Sequence, residues 1–202
     1  MTRRIDSVAI VIPARDEESL LPRCLNALGG AIDELTRRRP SIAVHTVVVA
    51  DAAWRTASTW LVSTDADSIV PHDWLVQHLD HAEQGADAVV GTVTPEFDGL
   101  SAGQIEAWTV SHPAGDPNGH VHGANRGIRA DVYLAVDGFH PRAVGEDVEL
   151  VARIASRGYR VIPSGKLDVM TSSRAIARAP GGYASWLHEG DLIPIDRFTD
   201  PS

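Results

Sequence analysis

Asp65 and Asp67 closely follow an apolar pair, Leu61 and Val62, and precede the hydroxyl of Ser68. An apolar run of this kind predicts a buried strand, so the two carboxylates project from its C-terminal end, where open α/β sheets bind ligands. Carboxylate oxygens suit Mg²⁺ or Mn²⁺, and such an ion is typically shared with phosphate oxygens. The stretch predicts a divalent-cation site for a diphosphate, although an Asp-x-Asp tripeptide alone carries no information in so acidic a chain.

Glu146 and Asp147 form a second pair of acids, at the start of a predicted helix. The apolar face predicted for that helix consists of Val148, Val151, Ala152 and Ala155, and Gly158 ends it. Two acids at a helix start are usually partners of the helix dipole. A carboxylate kept ionised there also suits a general base that accepts a proton from a hydroxyl. Both interpretations stay open.

Two arginines and two histidines are further candidates for ligand contact. Arg174 and Arg178 precede a Pro-Gly-Gly hinge and could close over a diphosphate, because a guanidinium matches phosphate oxygens in a bidentate way. His120 and His122 lie in residues 111–123, whose Gly, Pro and His content predicts an active-site flap. They share a face if the segment is extended and could contact a sugar or acceptor, whereas simple loop polarity is the alternative.

Other reactive residue types have plainer interpretations. The single cysteine, Cys24, stands among leucines and is predicted to be a buried thiol, which fits a reducing compartment. His78 and His81 are predicted to be surface or hydrogen-bonded polar residues on a helix over 73–83, whose apolar face contains Trp74 and Leu79.

The elements that position these residues form a recurring strand and helix pattern. Strands are predicted at Ser7 to Ile12, Val44 to Ala50, around Leu61, Ala88 to Val93, Tyr159 to Ile162 and Leu167 to Met170. Helices are predicted after the acidic loop at residues 16–18, which serves as helix cap or ligand contact, over 73–83, in a short segment capped by Asp131, and from residue 145. The pattern favours a mainly parallel α/β sheet in which strand 88–93 lies beside the earlier strands.

The connection between the second and third strands is unusually short. Only residues 51–59 separate them, whereas a parallel crossover needs a dozen or more residues. Either the two strands are not sequential parallel neighbours, or a segment is missing from the chain. We favour the second alternative and predict an unusual junction between about Ala52 and Ser58.

Length and charge set further limits. At 202 residues, with 44% hydrophobic content, the chain predicts one domain with a sizeable core. The net charge of −9 argues against nucleic acid as a partner. No apolar run approaches membrane-spanning length, and a signal-peptide core is lacking, so we expect a cytoplasmic protein that could still work at a membrane surface.

Five segments, in this order, resemble family 2 glycosyltransferases of the GT-A fold. They are IVIPARDEESLLPRCLNAL, the strand ending in Asp51, STDADS, HGANRGIRADVYLAVDGF and GEDVEL. The resemblance covers nearly the whole chain up to Ile162. It implies a Rossmann-like mixed, mainly parallel sheet with flanking helices, in which about residues 1–95 bind the nucleotide-sugar and about 96–202 bind the acceptor.

The resemblance also implies roles for individual residues. The nucleoside would lie against Pro13, Ala14 and Glu17, with Asp51 on the base. Asp65, Ala66 and Asp67 match the Asp-x-Asp motif, with Asp67 as the direct ligand of Mg²⁺ or Mn²⁺ at the diphosphate. Asp147 matches the base of inverting members, and Glu146 stands beside it. His188 resembles in position a histidine that completes the metal shell in some related enzymes.

Two departures from the family pattern bear on these assignments. Residues 52–58, AAWRTAS, replace a Gly/Ser/Thr-rich acidic turn and a following helix, so nucleotide contacts from that region are unassigned. Asp137 replaces a usual glycine before Gly138, which we expect to be tolerated.

The leading hypothesis is therefore metal-dependent, inverting transfer of a hexose from a nucleotide-diphosphate sugar to a hydroxyl acceptor. Nucleotidyl transfer is a second hypothesis, disfavoured because the loop PARDEES is acidic and has no glycine. A non-catalytic sugar-nucleotide-binding module is a third. The sugar, the nucleotide and the acceptor are not determined by the sequence, and a homodimer is left open.

Overall fold

The fold is a seven-stranded sheet with helices on both faces, seen in a computed structural model that describes residues 4–13, 17–48, 58–113, 115, 121–140 and 145–173. The strands are β1 (Ser7–Ile12), β2 (Ala43–Val48), β3 (Thr59–Ser63), β4 (Ser68–Ile69), β5 (Ala88–Pro95), β6 (Arg126–Arg129) and β7 (Val161–Thr171). The helices are α1 (Leu21–Arg38), α2 (Trp74–Glu83), α3 (Ala102–Ser111), α4 (Ala130–Ala135) and α5 (Glu146–Ser156).

The sheet is mixed, with the strand order β2-β1-β3-β6-β5-β7-β4. Among the described strands, β1 pairs in parallel with β2 and β3, and β5 pairs in parallel with β7. The pairings β3–β6, β5–β6 and β4–β7 are antiparallel. The expected α/β class is confirmed, but the mainly parallel character is not shown, because the pairings divide evenly between the two directions.

Strand β6 explains much of this difference. Residues 126–129, for which the sequence predicts no strand, form a strand between β3 and β5. The expectation that strand 88–93 lies beside the earlier strands is therefore wrong. A four-residue strand that contains two arginines and a glycine carries little periodic signal, so only its long-range pairing identifies it.

The strand order answers one part of the question raised by the short connection after β2. Strands β2 and β3 are not hydrogen-bonded neighbours, because β1 lies between them. The junction itself, residues 51–57, lies outside the described residues, and the prediction made for it stays a prediction.

The hydrophobic core lies on both faces of the sheet, and successive side chains of β5 point to opposite faces. Val89 belongs to the large cluster with residues of α1 and α2, including Leu28, Leu35 and Leu79. Its neighbours Ala88 and Val90 pack instead with residues of α4 and α5, including Val132, Leu150 and Val151. Because both faces of the sheet are covered, the strand ends form the open edge at which a site can lie.

The predicted helices exist, with corrections to the faces they bury. Helix α1 buries Cys24, as expected, together with Leu28, whereas Leu25 is 40% exposed. Helix α5 buries Leu150, Val151 and Ile154, so of the predicted face only Val151 is buried. The larger Leu150 and Ile154, one helical turn apart, remove more apolar area from water than the alanines chosen from the sequence.

His78 is not at the surface, which was one of the two alternatives expected for it. Its ring is fully buried and meets the Trp74 ring edge-on, with ring centroids 4.9 Å apart. Burial lowers the pKa of His78 to about 3, so the folded protein holds it neutral.

Helix α3 and strand β4 were not predicted, and the two predicted strands at 159–170 form the single strand β7. Asp131 lies in the first turn of α4 rather than at its N-cap, which is Arg129. None of the described helices has both the length and the apolar composition to cross a membrane.

A buried asparagine holds the irregular part of the sheet. The register between β5 and β7 shifts after Gly91, so that Thr92 pairs with Asp168 while Gly91 pairs with Ser164. The Nδ2 atom of Asn125 donates to the carbonyls of Thr92 (2.7 Å) and Leu167 (2.8 Å), and its Oδ1 accepts from Trp74 Nε1 (2.9 Å). Asn125 thus occupies the hydrogen-bonding groups that the shifted register leaves unpaired.

Candidate active site

The Asp65–Asp67 turn lies at the C-terminal end of β3, as predicted. The backbone of Thr64 still donates to Val11 of β1 (3.3 Å), and Ser68 N donates back to Asp65 O (3.1 Å), which closes the turn. Ala66 is buried at 2% exposure, whereas Asp65 and Asp67 are partly exposed. The turn therefore anchors through Ala66 and keeps both carboxylates partly accessible to solvent.

Strand β7 supports Asp67 from the other side. Thr171 Oγ1 lies 3.5 Å from Asp67 Oδ1, and Ser68 Oγ donates to Thr171 Oγ1 (3.0 Å). Ser172 N donates to the carbonyl of Asp67 (3.3 Å). The hydroxyl of Ser68 is fully buried and is used to orient Thr171.

Cys24 lies beneath this turn and is confirmed as a buried thiol. It is 1% exposed, and its Sγ donates to Asp65 O at 3.4 Å. Burial raises the pKa of Cys24 to about 11, and the charges of Asp67 and Asp65 act in the same direction. A thiol held protonated in this way has no nucleophilic role.

Asp147 approaches the same strand end from α5. Gly145 forms the N-cap in the left-handed region with φ of 79°, and Glu146 and Asp147 occupy the first turn. The Oδ2 atom of Asp147 lies so close to Gly123 that a Cβ atom added there would be 2.5 Å away. The carbonyl of Gly123 accepts from Ser63 Oγ (3.0 Å), and Ser63 is the last residue of β3. Gly123 thus links Asp147 to Ser63, the end of the strand that precedes Asp65.

Hydrophobic packing fixes this approach. Val121 is buried against Val90 of β5 and Val151 of α5. The backbone N–H of Asn125 donates to the backbone carbonyl of His122 at 3.2 Å, and this turn leads the chain into β6. The segment that contains Gly123 is therefore held between the sheet and the helix that bears Asp147.

Arg126 joins the two groups of acids. Its guanidinium forms an ion pair with Asp147 Oδ1 and lies over the Phe139 ring, 4.5 Å from the centroid. Burial lowers the pKa of Arg126 to about 10, against the opposing charges of Asp65, Tyr133 and Glu146. Arg126 therefore stays protonated at neutral pH, paired with Asp147 and within range of the charges of Asp65 and Glu146.

The residues expected near a nucleoside are described only in part. Pro13 is exposed at the end of β1, and Glu17 is 8% exposed. The carbonyl of Glu17 accepts from Leu20 N (3.1 Å) and Leu21 N (2.8 Å), while the first turn of α1 contains no acidic residue. Glu17 thus contributes to the start of the helix through its backbone carbonyl.

Several candidates lie outside the described residues and stay predictions: Ala14, Asp51, His120, Arg174, Arg178 and His188. The described parts of the chain contain no cluster of three or more His, Cys, Asp or Glu side chains that could hold a metal ion. Two carboxylates on one turn nevertheless fit Mg²⁺ or Mn²⁺ bound together with a diphosphate, because such ions are commonly held by one or two carboxylates plus substrate phosphates.

Sequence reasoning missed Arg126, Gly123 and Thr171. Arg126 and Gly123 belong to the segment HGANRGIRADVYLAVDGF. The available signal there was the arginine directly after Asn125, a residue that the structure shows to be buried. Thr171 had no local signal, because its contact with Asp67 spans 104 positions of the sequence.

The sequence matches no protein-family model and no curated protein. Solved structures do share its fold. Residues 1–349 of TarS from S. aureus match with a TM-score of 0.52 and 10% identity, covering 83% of this chain and 60% of that chain. The mannosyltransferase PcManGT from Pyrobaculum calidifontis, in complex with GDP-Man and Mn²⁺, matches with a TM-score of 0.56 and 19% identity, covering 92% and 60%.

GalNAc-T7 with UDP, GalNAc and Mn²⁺ matches with a TM-score of 0.50 and 13% identity, covering 90% of this chain and 46% of that chain. The chain thus spans about 60% of the length of the first two structures and less of the third. At these identities the similarity shows the fold alone: the chain has an α/β fold similar to that of GT-A glycosyltransferases.

Proposed function

We propose that the protein is a metal-dependent, inverting glycosyltransferase of family 2 that moves a hexose from a nucleotide-diphosphate sugar to a hydroxyl acceptor. The observation that carries the proposal is the approach of Asp147, through Gly123 and its ion pair with Arg126, to the end of β3, two positions before Asp65. Two structures of similar fold, the mannosyltransferase with GDP-Man and Mn²⁺ and GalNAc-T7 with UDP, GalNAc and Mn²⁺, support the donor class and the cation.

In this proposal Asp65, Ala66 and Asp67 form the donor side of the site. Asp67, with Asp65 and His188, would hold Mg²⁺ or Mn²⁺, and the ion would supply a Lewis acid at the diphosphate. The nucleoside would lie against Pro13, Ala14, Glu17 and Asp51. Arg174 and Arg178 would contact the diphosphate oxygens, for which a guanidinium is well suited.

Asp147 is the general base of the proposed reaction, with Glu146 beside it. The acceptor hydroxyl transfers its proton to the Asp147 carboxylate while its oxygen forms a bond to the anomeric carbon. The bond from that carbon to the diphosphate oxygen breaks, and the nucleoside diphosphate leaves with the electron pair. Attack from the face opposite the leaving group inverts the anomeric configuration.

The test begins with a thermal-shift panel of GDP, UDP, GDP-mannose and UDP-GalNAc, each with and without Mn²⁺. Mn²⁺-dependent stabilisation identifies the donor through ligand linkage. Release of nucleoside diphosphate from that donor is then followed with water or added sugars as acceptor. Formation of pyrophosphate instead would indicate nucleotidyl transfer, and binding without turnover would indicate a non-catalytic module.

Asp147→Asn tests the base directly. We expect donor binding to persist and turnover to fall by about 10²- to 10⁴-fold, the usual contribution of a general base. Asp33→Asn, an exposed change on α1, is the matched control and should leave turnover unchanged. Wild-type turnover in Asp147→Asn would exclude the proposed role.

A further inference from the structure

Arg126 is a buried cation placed by strand register at the active edge of the sheet. Its backbone pairs with Ser63 at the end of β3 and with Val90 of β5. The residue is 8% exposed, whereas the side chain of its partner Asp147 is 25% exposed. The ion pair therefore presents its carboxylate side to solvent and its guanidinium side to the protein.

The two carboxylate oxygens of Asp147 have different surroundings. Oδ1 contacts the Arg126 guanidinium, and Oδ2 lies against Gly123. Because Arg126 engages Oδ1, Oδ2 remains as the oxygen that can accept a proton from a hydroxyl. An ion pair with a buried cation also favours the carboxylate form of Asp147, which is the form a base requires.

Arg126 is itself held by the turn after α4. The Phe139 ring lies under its guanidinium, and Phe139 N donates to Tyr133 Oη at 3.3 Å. Asp137 and Gly138 both have positive φ, of 62° and 59°, which bends the chain sharply before Phe139. Arg153 of α5 donates to the carbonyls of Val136 and Gly138 and ties this turn to the helix that bears Asp147.

Stability alone does not account for this arrangement. Burying a guanidinium carries a desolvation cost that one ion pair often fails to recover, so well-packed apolar side chains would commonly serve the fold as well. Orientation of a reacting group gives such a residue a function, because a misplacement of about 1 Å can cost about 10²-fold in rate.

We propose that Arg126 is a positioning residue that fixes Asp147 by its Oδ1 atom and leaves Oδ2 for the acceptor hydroxyl. The inference rests on the proposed function, since it assigns how that base is held. Phe139 supports the guanidinium in this role. During transfer the proton moves to Asp147 and Arg126 keeps its own charge, so the ion pair becomes a hydrogen bond between a cation and a neutral acid.

The test uses the full chain with Mn²⁺ and whichever of GDP-mannose or UDP-GalNAc stabilises it more, with release of nucleoside diphosphate as the readout. We expect Arg126→Gln to lower kcat by about 10- to 100-fold with the KM for the donor changed less than about threefold. Arg126→Lys, which keeps the charge, should recover part of the loss. Phe139→Leu, at a residue that is 40% exposed, should lower kcat by only a few fold and is tolerated by the fold.

Arg129→Gln is the matched control. Arg129 lies on the same strand and is paired with Asp87 and Asp131, but its backbone pairs with Trp60 at the opposite end of β3. Its loss should lower stability and leave kcat unchanged.

A double-mutant cycle separates positioning from general structural support. If Arg126 acts through Asp147, adding Arg126→Gln to Asp147→Asn should change kcat by less than about twofold, because the effects of residues that act as one unit are not additive. A kcat near wild type in Arg126→Gln, or an undiminished further loss in the double variant, would overturn the inference. Loss of turnover in Asp147→Asn alongside an unaffected Arg126→Gln would reject the inference and leave the proposed function standing, whereas unaffected Asp147→Asn would reject both.

Discussion

Gly123 shows how a single missing side chain shapes the site. A Cβ atom added at Gly123 would lie 2.5 Å from Asp147 Oδ2. The φ angle of Gly123 is not in the left-handed region. Alanine therefore suits the backbone of Gly123 but displaces the tip of a side chain, which is inexpensive for the fold and damaging for a positioned carboxylate.

We expect Gly123→Ala to lower kcat by about tenfold or more, with a change of less than about 1 kcal/mol in the free energy of unfolding. Rates of nucleoside diphosphate release and urea unfolding measure the two effects. Gly103→Ala, in α3 with open space around the added methyl group, should leave kcat unchanged and raise helix stability. Equal kcat in Gly123→Ala and wild type would show that Asp147 need not occupy its observed position.

His78 gives a pH-dependent contribution to stability. Burial lowers its pKa from 6.5 to about 3, so the unfolded chain binds a proton at this residue before the folded protein does. Stability from this group is complete above about pH 6.5 and is lost as the pH falls from there towards 3, by up to ~1.4 kcal/mol per pH unit.

His78→Leu should reduce the slope of the free energy of unfolding against pH, measured by urea unfolding at pH 7, 6, 5 and 4. The slope will not vanish, because burial also lowers the pKa values of His81 and His112. His72→Leu, at an exposed position, is the control that should keep the wild-type slope. An unchanged slope in His78→Leu would mean that this histidine is not held neutral in the folded protein.

At the scale of elements, the sheet depends on how β5, β6 and β7 are joined. Asn125 precedes β6 and satisfies the Trp74 donor and two carbonyls at the register shift between β5 and β7. Asn125→Leu keeps the branched shape but leaves Trp74 Nε1 and the Thr92 carbonyl without this partner, at about 1–3 kcal/mol for each group, whereas the Leu167 carbonyl still accepts from Thr92 Oγ1.

We therefore expect Asn125→Leu to lower the free energy of unfolding by about 3 kcal/mol or more, measured by urea denaturation. The matched change Asn26→Leu, at an exposed position of α1, should stay within about 0.5 kcal/mol of wild type. Adding Trp74→Phe should cost less in the Asn125→Leu background than alone, because the shared hydrogen bond is already gone. Similar stabilities of Asn125→Leu and Asn26→Leu would contradict this account.

At the scale of the whole molecule, the acidic charge makes cation dependence a central prediction of the proposed function. The chain carries a net charge of −9, and Asp65, Asp67, Glu146 and Asp147 all belong to the proposed site, together with Arg126. A divalent cation would offset part of this charge and allow an anionic donor to approach.

We expect GDP or UDP to raise Tm by several degrees in the presence of Mn²⁺, and EDTA to remove that shift, since saturation at about 100 times Kd adds ~2.7 kcal/mol. Asp67→Asn should abolish the Mn²⁺-dependent part, and Asp33→Asn should keep it. NaCl at matched ionic strength controls for general screening of the acidic chain. A nucleotide-induced shift that survives EDTA would show that binding does not need the cation.

The sequence by itself determined the parts of this protein that local pattern encodes. Strand β1 coincides with the predicted Ser7–Ile12, and α2 buries Trp74 and Leu79 as predicted. The Asp65–Asp67 turn was also placed correctly at a strand end. These features follow from burial patterns that repeat within a few residues, at the period of a strand or helix.

Only the tertiary structure decided which segments meet. The insertion of β6 between β3 and β5 brings Arg126 to the end of β3, and the ion pair of Arg126 with Asp147 spans 21 positions. The hydrogen bond from Ser63 to Gly123 spans 60 positions, and that from Thr171 to Asp67 spans 104. Such contacts depend on sheet order and register, which are set by packing across the whole core and leave no periodic trace in the residues that make them.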